Sequence, residues 1–361
     1  MRKLFSRRLF SWICTFVVFA LACAELGWLF PRQVSGISLK VRHFTERKKK
    51  VDILFVGSSR IYHGISPQVF DQTLRAPGRR WHSFNMGMDG MTTAESFALV
   101  RRLLALHVHK PKYIFFEVQS GIGAGTPIKD DEVKERDVYW RDWDSLLAGF
   151  RKLSAGLSWS GGTLAGQPYS LQRWNYFGPL FMADLRLWIR NAINFGLGDK
   201  VIARYKTLLP VWGKAAAPKP SPIEGSDLPS SWDGYFAMSQ PMAGETLAGY
   251  RADLEKALSH PIDRAPDLIM RAELQHFEKA MARRKIQIVF VVPPALLGSR
   301  GSELNAPLQA TLFNYNDLVR YPQFFAEENR LDSAHLNGPG ANLFSATLAR
   351  DFARTLPPVA R

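Results

Sequence analysis

The apolar positions of this chain fall into two rhythms. Short runs rich in β-branched and aromatic residues read as buried strands, and longer stretches with apolar residues three and four apart read as helices. Val51 to Val56 (VDILFV) is the first run and ends in Gly57, as a buried parallel strand does. Ser66 to Leu74 follows as a helix with Ser66 as cap and Pro67 at its first position. Trp81 to Met86 reads as a second strand, and Thr92 or Thr93 to Leu106 as an amphipathic helix. Tyr113 to Val118 is a third strand. Later come a helix over Pro266 to Arg284, a strand over Ile286 to Val292 stopped by Pro293-Pro294, and a last helix over Gly340 to Thr355. Strands alternating with helices predict an α/β domain, residues 51–356, with a parallel sheet covered on both faces.

Two stretches depart from this rhythm. Leu9 to Phe30 is apolar apart from Glu25 near its end, and about 20 such residues are enough to cross a bilayer core. Trp12 and Trp28 stand near its two ends, where aromatic rings favour the interface. Residues 1–31 therefore read as an N-terminal transmembrane helix, a membrane anchor or uncleaved signal. A cleaved signal peptide is the rival, since Ala20-Leu21-Ala22 has the small-x-small form of a cleavage site. Basic residues flank the segment on both sides, Arg2, Lys3, Arg7 and Arg8 before it and Arg47 to Lys50 after it, so charge alone does not orient it. Residues 32–50 form a basic connector. The second stretch, about 122–245, reads as a large insertion with seven of the ten tryptophans and the low-complexity piece Lys214 to Pro222. Those tryptophans could stack on sugar rings or fill the insertion's own small core.

Composition adds limits. The only cysteines, Cys14 and Cys23, lie in the apolar N-terminal segment, so the α/β domain has no disulfide and no thiolate metal site. The net charge of +15 suits an anionic polymer or lipid headgroups. Zinc-finger spacing and RNA-binding sheet motifs are missing from the sequence, so nucleic acid is not expected as a partner.

Three short motifs carry candidate chemistry. Gly57-Ser58-Ser59-Arg60 puts a hydroxyl at the carboxyl end of the first strand, where open α/β sheets bind ligands. Asn85-Met86-Gly87-Met88-Asp89-Gly90 follows the second strand, and the backbone N–H of Gly90 can approach a reacting oxygen with no side chain in the way. With the amide of Ser59 it would make an oxyanion hole. Asp332-Ser333-Ala334-His335 precedes the last helix, and a carboxylate three residues before a histidine can reach its ring and fix its tautomer. Taken singly, each motif is also what an ordinary turn or helix cap looks like.

In this order and spacing the three motifs resemble the SGNH (GDSL-like) hydrolase superfamily, over residues 51–121 and 285–356. The resemblance implies a three-layer flavodoxin-like parallel sheet. It implies Ser59 as nucleophile, Gly90 as oxyanion donor, His335 as base and Asp332 as its orienter, with no cofactor and no metal. Two positions depart from the family. Its third-block asparagine is missing from Glu117-Val118-Gln119-Ser120-Gly121, where Gln119 or Ser120 would have to replace it. Ser58 also stands where aspartate is common. With the N-terminal segment, these departures resemble the extracytoplasmic partners of membrane-bound O-acyltransferases of the alginate O-acetylation and teichoic acid D-alanyl transfer type. That resemblance implies a polytopic O-acyltransferase partner, a polysaccharide acceptor, and a single-pass protein of the cytoplasmic membrane with its catalytic domain outside. A secreted esterase or deacetylase, and a non-catalytic glycan-binding scaffold, are the alternatives.

Overall fold

The computed structural model of the chain describes residues 37–47, 50–75, 80–119, 138–141, 143–158, 178–179, 181–191, 232–238, 240–259, 268–296 and 310–357, with scattered positions between 11 and 22. Most of Leu9 to Phe30, the piece Lys214 to Pro222, Trp159, Trp174, Trp212, Ser120 and Gly121 lie outside them. Among the described residues, no helix is long and apolar enough to cross a membrane.

The chain divides into two compact units. The first comprises Leu39–Val100, His107–Ala124 and Asp227–Arg361. It is built on strands β1 (Ile53–Val56), β2 (Ser83–Asn85), β3 (Tyr113–Glu117), β4 (Gln287–Val292) and β5 (Thr311–Asn314). All neighbours pair in parallel, in the order β2-β1-β3-β4-β5. This is a doubly wound order, and the direction of winding reverses between β1 and β3. The fold is therefore α/β with a five-stranded parallel sheet, as the alternation of strands and helices predicts. The strand β5, half-buried at the sheet's edge, has no counterpart in the sequence reading. Its pattern TLFN is too short to stand out.

Side-chain alternation along each strand fills a layer on either side of the sheet. Phe55 and Phe115 meet Phe70 of the helix Pro67–Thr73, and Phe115 also meets Phe352 of the helix Gly338–Ala353, at ring centroid distances of 4.9–5.4 Å. On the opposite face Phe116 meets Phe97 and Phe277, from the helices Thr93–Ala105 and Leu268–Ala282, at 4.9 and 5.0 Å. Both faces are buried under helices, which is why these strands read as continuous apolar runs rather than alternating ones.

Local signals set the helix starts. Ser66 caps Pro67–Thr73 by accepting a hydrogen bond from Val69 N, and Asn337 caps Gly338–Ala353 by accepting from Gly340 N. Thr92 and Glu95 form a reciprocal capping box, Glu95 N donating to Thr92 Oγ1 and Thr92 N to Glu95 Oε2. Part of the basic stretch 32–50 is itself a helix, Ile37–Glu46, in which Lys40 and Phe44 are buried. The residues 232–238, at the end of the predicted insertion, dock on the sheet, with Asn85 N donating to Asp233 O at 2.7 Å.

The second unit, Met1–Ser38, Arg101–Leu106 and Gly125–Ser226, is mostly helical where it is described. The helix Trp143–Ser158 packs on a helical stretch over 181–191 through Phe150–Phe181 and Trp143–Trp188 ring pairs. Gly149 lets the two approach closely, since a Cβ there would lie 3.2 Å from Asp184 Oδ2. Trp140 is fully buried in this unit, and Trp143 is 56% exposed.

Candidate active site

The site is built at the carboxyl ends of β1, β2 and β3, beside the point where the winding reverses. After Val56 the chain turns sharply at Gly57, where an added Cβ would overlap Glu117 Oε2 and Ile61 Cγ1. Only glycine fits there. Ser58 then caps the short helix Ser59–Tyr62, accepting from Arg60 N. Beneath this turn lies Glu117, the last residue of β3, with its side chain fully buried. Its carboxylate accepts from Ser58 N and, at 3.0 Å, from Ser58 Oγ, and pairs with Arg60 Nη2 at 2.7 Å. A buried carboxylate with these partners is satisfied, and it fixes the turn that presents Ser59.

Ser59 Oγ lies 2.7 Å from His335 Nε2. The other ring nitrogen, Nδ1, lies 2.8 Å from Asp332 Oδ2 and 2.9 Å from Oδ1. A carboxylate only accepts, so Nδ1 carries the proton and the lone pair of Nε2 faces the serine hydroxyl. The Asp332–His335 segment is a closed loop. Ala334 N and His335 N both donate to Asp332 Oδ1 at 2.7 Å, and Leu331 N donates to His335 O at 3.0 Å. An antiparallel bridge between Arg330 and Leu336 closes its base. The Arg330 side chain is fully buried and donates to Asp332 O and Pro294 O. Burial holds its guanidinium down at about 10.

Two opposing effects act on Asp332. Burial pushes its carboxyl up. The hydrogen bond and charge of His335 and the two backbone amides outweigh it and hold the group at about 2. Asp332 is thus ionised at neutral pH and able to stabilise an imidazolium at His335.

Gly90 sits at the tip of the loop after β2 with φ +61° and nothing within 4 Å of an added Cβ. The loop is docked on the Gly57–Ser59 turn, Met86 N donating to Phe55 O at 2.8 Å and Met88 N to Gly57 O at 3.0 Å. Neither Ser59 N nor Gly90 N is spent on a backbone partner among the described residues. The structure thus brings Ser59, His335 and Asp332 into one hydrogen-bonded line, and joins the Gly90 loop to the Ser59 turn. Gln119, one candidate for the missing third-block donor, gives its amide to Met91 O at 2.6 Å, bracing the Gly90 loop from behind. The other candidate, Ser120, lies outside the described residues.

Two residues beside the site were not singled out from the sequence. Glu117 is one, though a carboxylate closing the apolar run YIFFE was a visible sign. Its contact with the Ser58 amide and hydroxyl ties down a turn where the related pattern often has aspartate at position 58. His63, which stands close behind Ser59 in the sequence and from there could line the site or pack locally, pairs through Nε2 with Asp89 Oδ1 at 2.9 Å and through Nδ1 with Phe236 O at 2.9 Å. Its bond holds the Asp89 carboxyl below the usual range, ahead of an opposing push from burial. Lys40 is the other residue not singled out. It occupies an apolar position of its helix, three residues after Ile37 and four before Phe44, where a lysine needs a buried partner.

Among the described residues, no group of three or more histidine, cysteine, aspartate or glutamate side chains is placed to hold a metal ion. No protein-family model matches the chain, and no curated protein matches it.

Proposed function

We propose that the protein is a serine acyltransferase of the SGNH type, taking an acyl group onto Ser59 and passing it to a hydroxyl of an exported or cell-surface polysaccharide. The observation that carries this reading is the Ser59–His335–Asp332 line, at 2.7 and 2.8 Å, at the carboxyl end of β1. The strand order and the three motifs in their sequence order support the SGNH assignment.

The chemistry runs in two displacements. Ser59 Oγ attacks the acyl carbon of the donor while His335 Nε2 takes the hydroxyl proton. The carbonyl oxygen becomes an oxyanion facing the amides of Ser59 and Gly90. Collapse breaks the bond to the donor's leaving oxygen or sulfur, which takes the proton from His335, and leaves an ester on Ser59. A sugar hydroxyl then attacks that ester, gives its proton to His335, and departs acylated as Ser59 Oγ is reprotonated. Each oxyanion donor contributes about 10²–10³-fold in rate in sites of this kind.

The donor side of this proposal is a polytopic membrane-bound O-acyltransferase that carries the acyl group, commonly acetyl, across the cytoplasmic membrane. The segment Leu9 to Phe30 is the anchor that keeps the catalytic domain beside that partner on the outer side. The test is acyl-enzyme trapping. The full-length chain in detergent is treated with p-nitrophenyl acetate and quenched in acid, and the peptide containing Ser59 is examined for the acetyl mass. A chase with an oligosaccharide that removes the acetyl faster than buffer does, leaving it on sugar, supports transfer. Equal loss to water would make the protein an esterase, and a Ser59 peptide that never gains the mass would contradict both.

A further inference from the structure

Lys40 is a buried charged group near the site that the chemistry above does not use. Lys40 is 3% exposed, and its ammonium points at a ring of backbone. Nζ donates to Gly87 O, to Gly234 O at 2.9 Å and to Asn85 O at 3.3 Å, and lies 3.5 Å from the centroid of the Tyr62 ring. An ammonium has three N–H donors and no acceptor, so all three find an oxygen and the open face is closed by an aromatic ring. Two of those oxygens belong to the strand end and loop that lead from β2 to Gly90.

The backbone is tightly packed at two of these carbonyls. At Gly87 an added Cβ would come within about 2.5 Å of Tyr62 N, and at Gly234, with φ +86°, it would overlap Asn85 O. The Asn85 side chain ties the same loop to the nucleophile helix. Its Nδ2 donates to Ile61 O and Ile65 O, and its Oδ1 accepts from Gly87 N at 2.8 Å. Further along the loop, Asp89 is held by His63. Burial pulls the Lys40 ammonium well below its ordinary range, and the charges of Asp89 and Asp233 oppose that pull. Converging carbonyl oxygens repel one another unless a cation or donor stands between them. Here that donor comes from a helix outside the three motifs.

We propose that Lys40 is a positioning residue for acyl transfer, whose ammonium gathers the carbonyls of Asn85, Gly87 and Gly234 and so sets the Gly90 amide against the oxygen bonded to the acyl carbon. The claim rests on the serine reading above and extends it. The helix Ile37–Glu46 becomes part of the catalytic centre rather than a spacer before it. Lys40 touches no reacting atom, so its loss acts on the rate of the chemical step more than on substrate binding.

The test compares full-length wild type, Lys40→Met and Lys40→Ala in p-nitrophenyl acetate hydrolysis, with circular dichroism and thermal unfolding as the record of folding. Lys40→Met keeps the length of the side chain and removes its donors. It is expected to lower kcat about 100-fold while KM stays within about threefold, as for loss of one oxyanion donor. In Lys40→Ala, ethylammonium at millimolar concentration restores at least about tenfold of the lost rate. Tetramethylammonium restores none, because it brings charge without N–H donors. A folded Lys40→Met with unchanged kcat overturns the proposal while leaving the serine chemistry standing. So does a loss of rate that only follows loss of fold and that ethylammonium does not repair. Wild type that neither hydrolyses the ester nor acylates Ser59 overturns the serine reading, and this one with it.

Discussion

Two histidine–aspartate pairs stand side by side at the strand ends, and they differ in what the second ring nitrogen meets. His335 and His63 lie 6.3 Å apart by ring centroids, each within 2.9 Å of a carboxylate oxygen. In the first pair the free nitrogen faces a hydroxyl, Ser59 Oγ, which can give up a proton. In the second it faces the carbonyl of Phe236, which can only accept. His335 can therefore take a proton from its neighbour, whereas neither oxygen beside His63 belongs to a hydroxyl with a proton to give. On the proposed function, the same two residue types make a base in one place and a strut in the other. Exposure follows the roles, with the His335 side chain 25% exposed and that of His63 8%.

Substitutions separate the two pairs, and the largest effect belongs to Asp332. Asp332→Asn is expected to lower kcat/KM by about 10⁴-fold, since the amide no longer holds the Nδ1–H tautomer. Ester kinetics against wild type would read this, and a loss under tenfold would remove Asp332 from the triad. Next comes the support beneath the nucleophile. Glu117→Ala leaves Arg60 and the Ser58 amide without their buried partner, and denaturant unfolding should show a loss of about 3–5 kcal/mol. His63→Asn is expected to cost less than about tenfold in kcat. A loss as large as that of Asp332→Asn would erase the distinction between base and strut.

The smallest effect is on stability in acid. Asp332 titrates at about 2 in the folded chain and about 3.9 when unfolded, so its folded value is depressed. Its contribution is complete above about pH 4 and is lost as pH falls through about 2, because the unfolded chain binds the proton first. The wild type's unfolding midpoint should therefore fall over that window more than that of Asp332→Asn.

Much of this was legible in the sequence where a single local pattern suffices. The strands at Ile53–Val56, Tyr113–Glu117 and Gln287–Val292 fall inside the apolar runs that mark them, and the caps at Ser66 and Thr92 sit where their side chains say. The grouping of Ser59, His335 and Asp332 was also legible, because Asp332 and His335 are neighbours in one loop and Ser59 follows a recognisable strand. What was not legible depends on distant pairings. The clamp on Gly234 by Lys40 joins residues 194 positions apart, and Glu117 meets Ser58 across 59. The strand Ser83–Asn85 is shorter than the apolar run Trp81 to Met86, because at Gly87 the chain closes on the helix Ser59–Tyr62, where an added Cβ would come within about 2.5 Å of Tyr62 N. Periodicity records which face is buried, but it does not record which backbone carbonyls a buried lysine will find.

The central claim, that Ser59 is an activated nucleophile, is tested most directly by covalent labelling of the full-length chain with a fluorophosphonate. Attack by Ser59 Oγ on phosphorus expels fluoride and leaves a stable phosphonyl ester. Wild type, Ser59→Ala and His335→Ala would be treated side by side, with folding checked for each. The account predicts labelling of the wild type alone, on the peptide that carries Ser59. A folded wild type that stays unlabelled, or labelling that persists in Ser59→Ala, would contradict it.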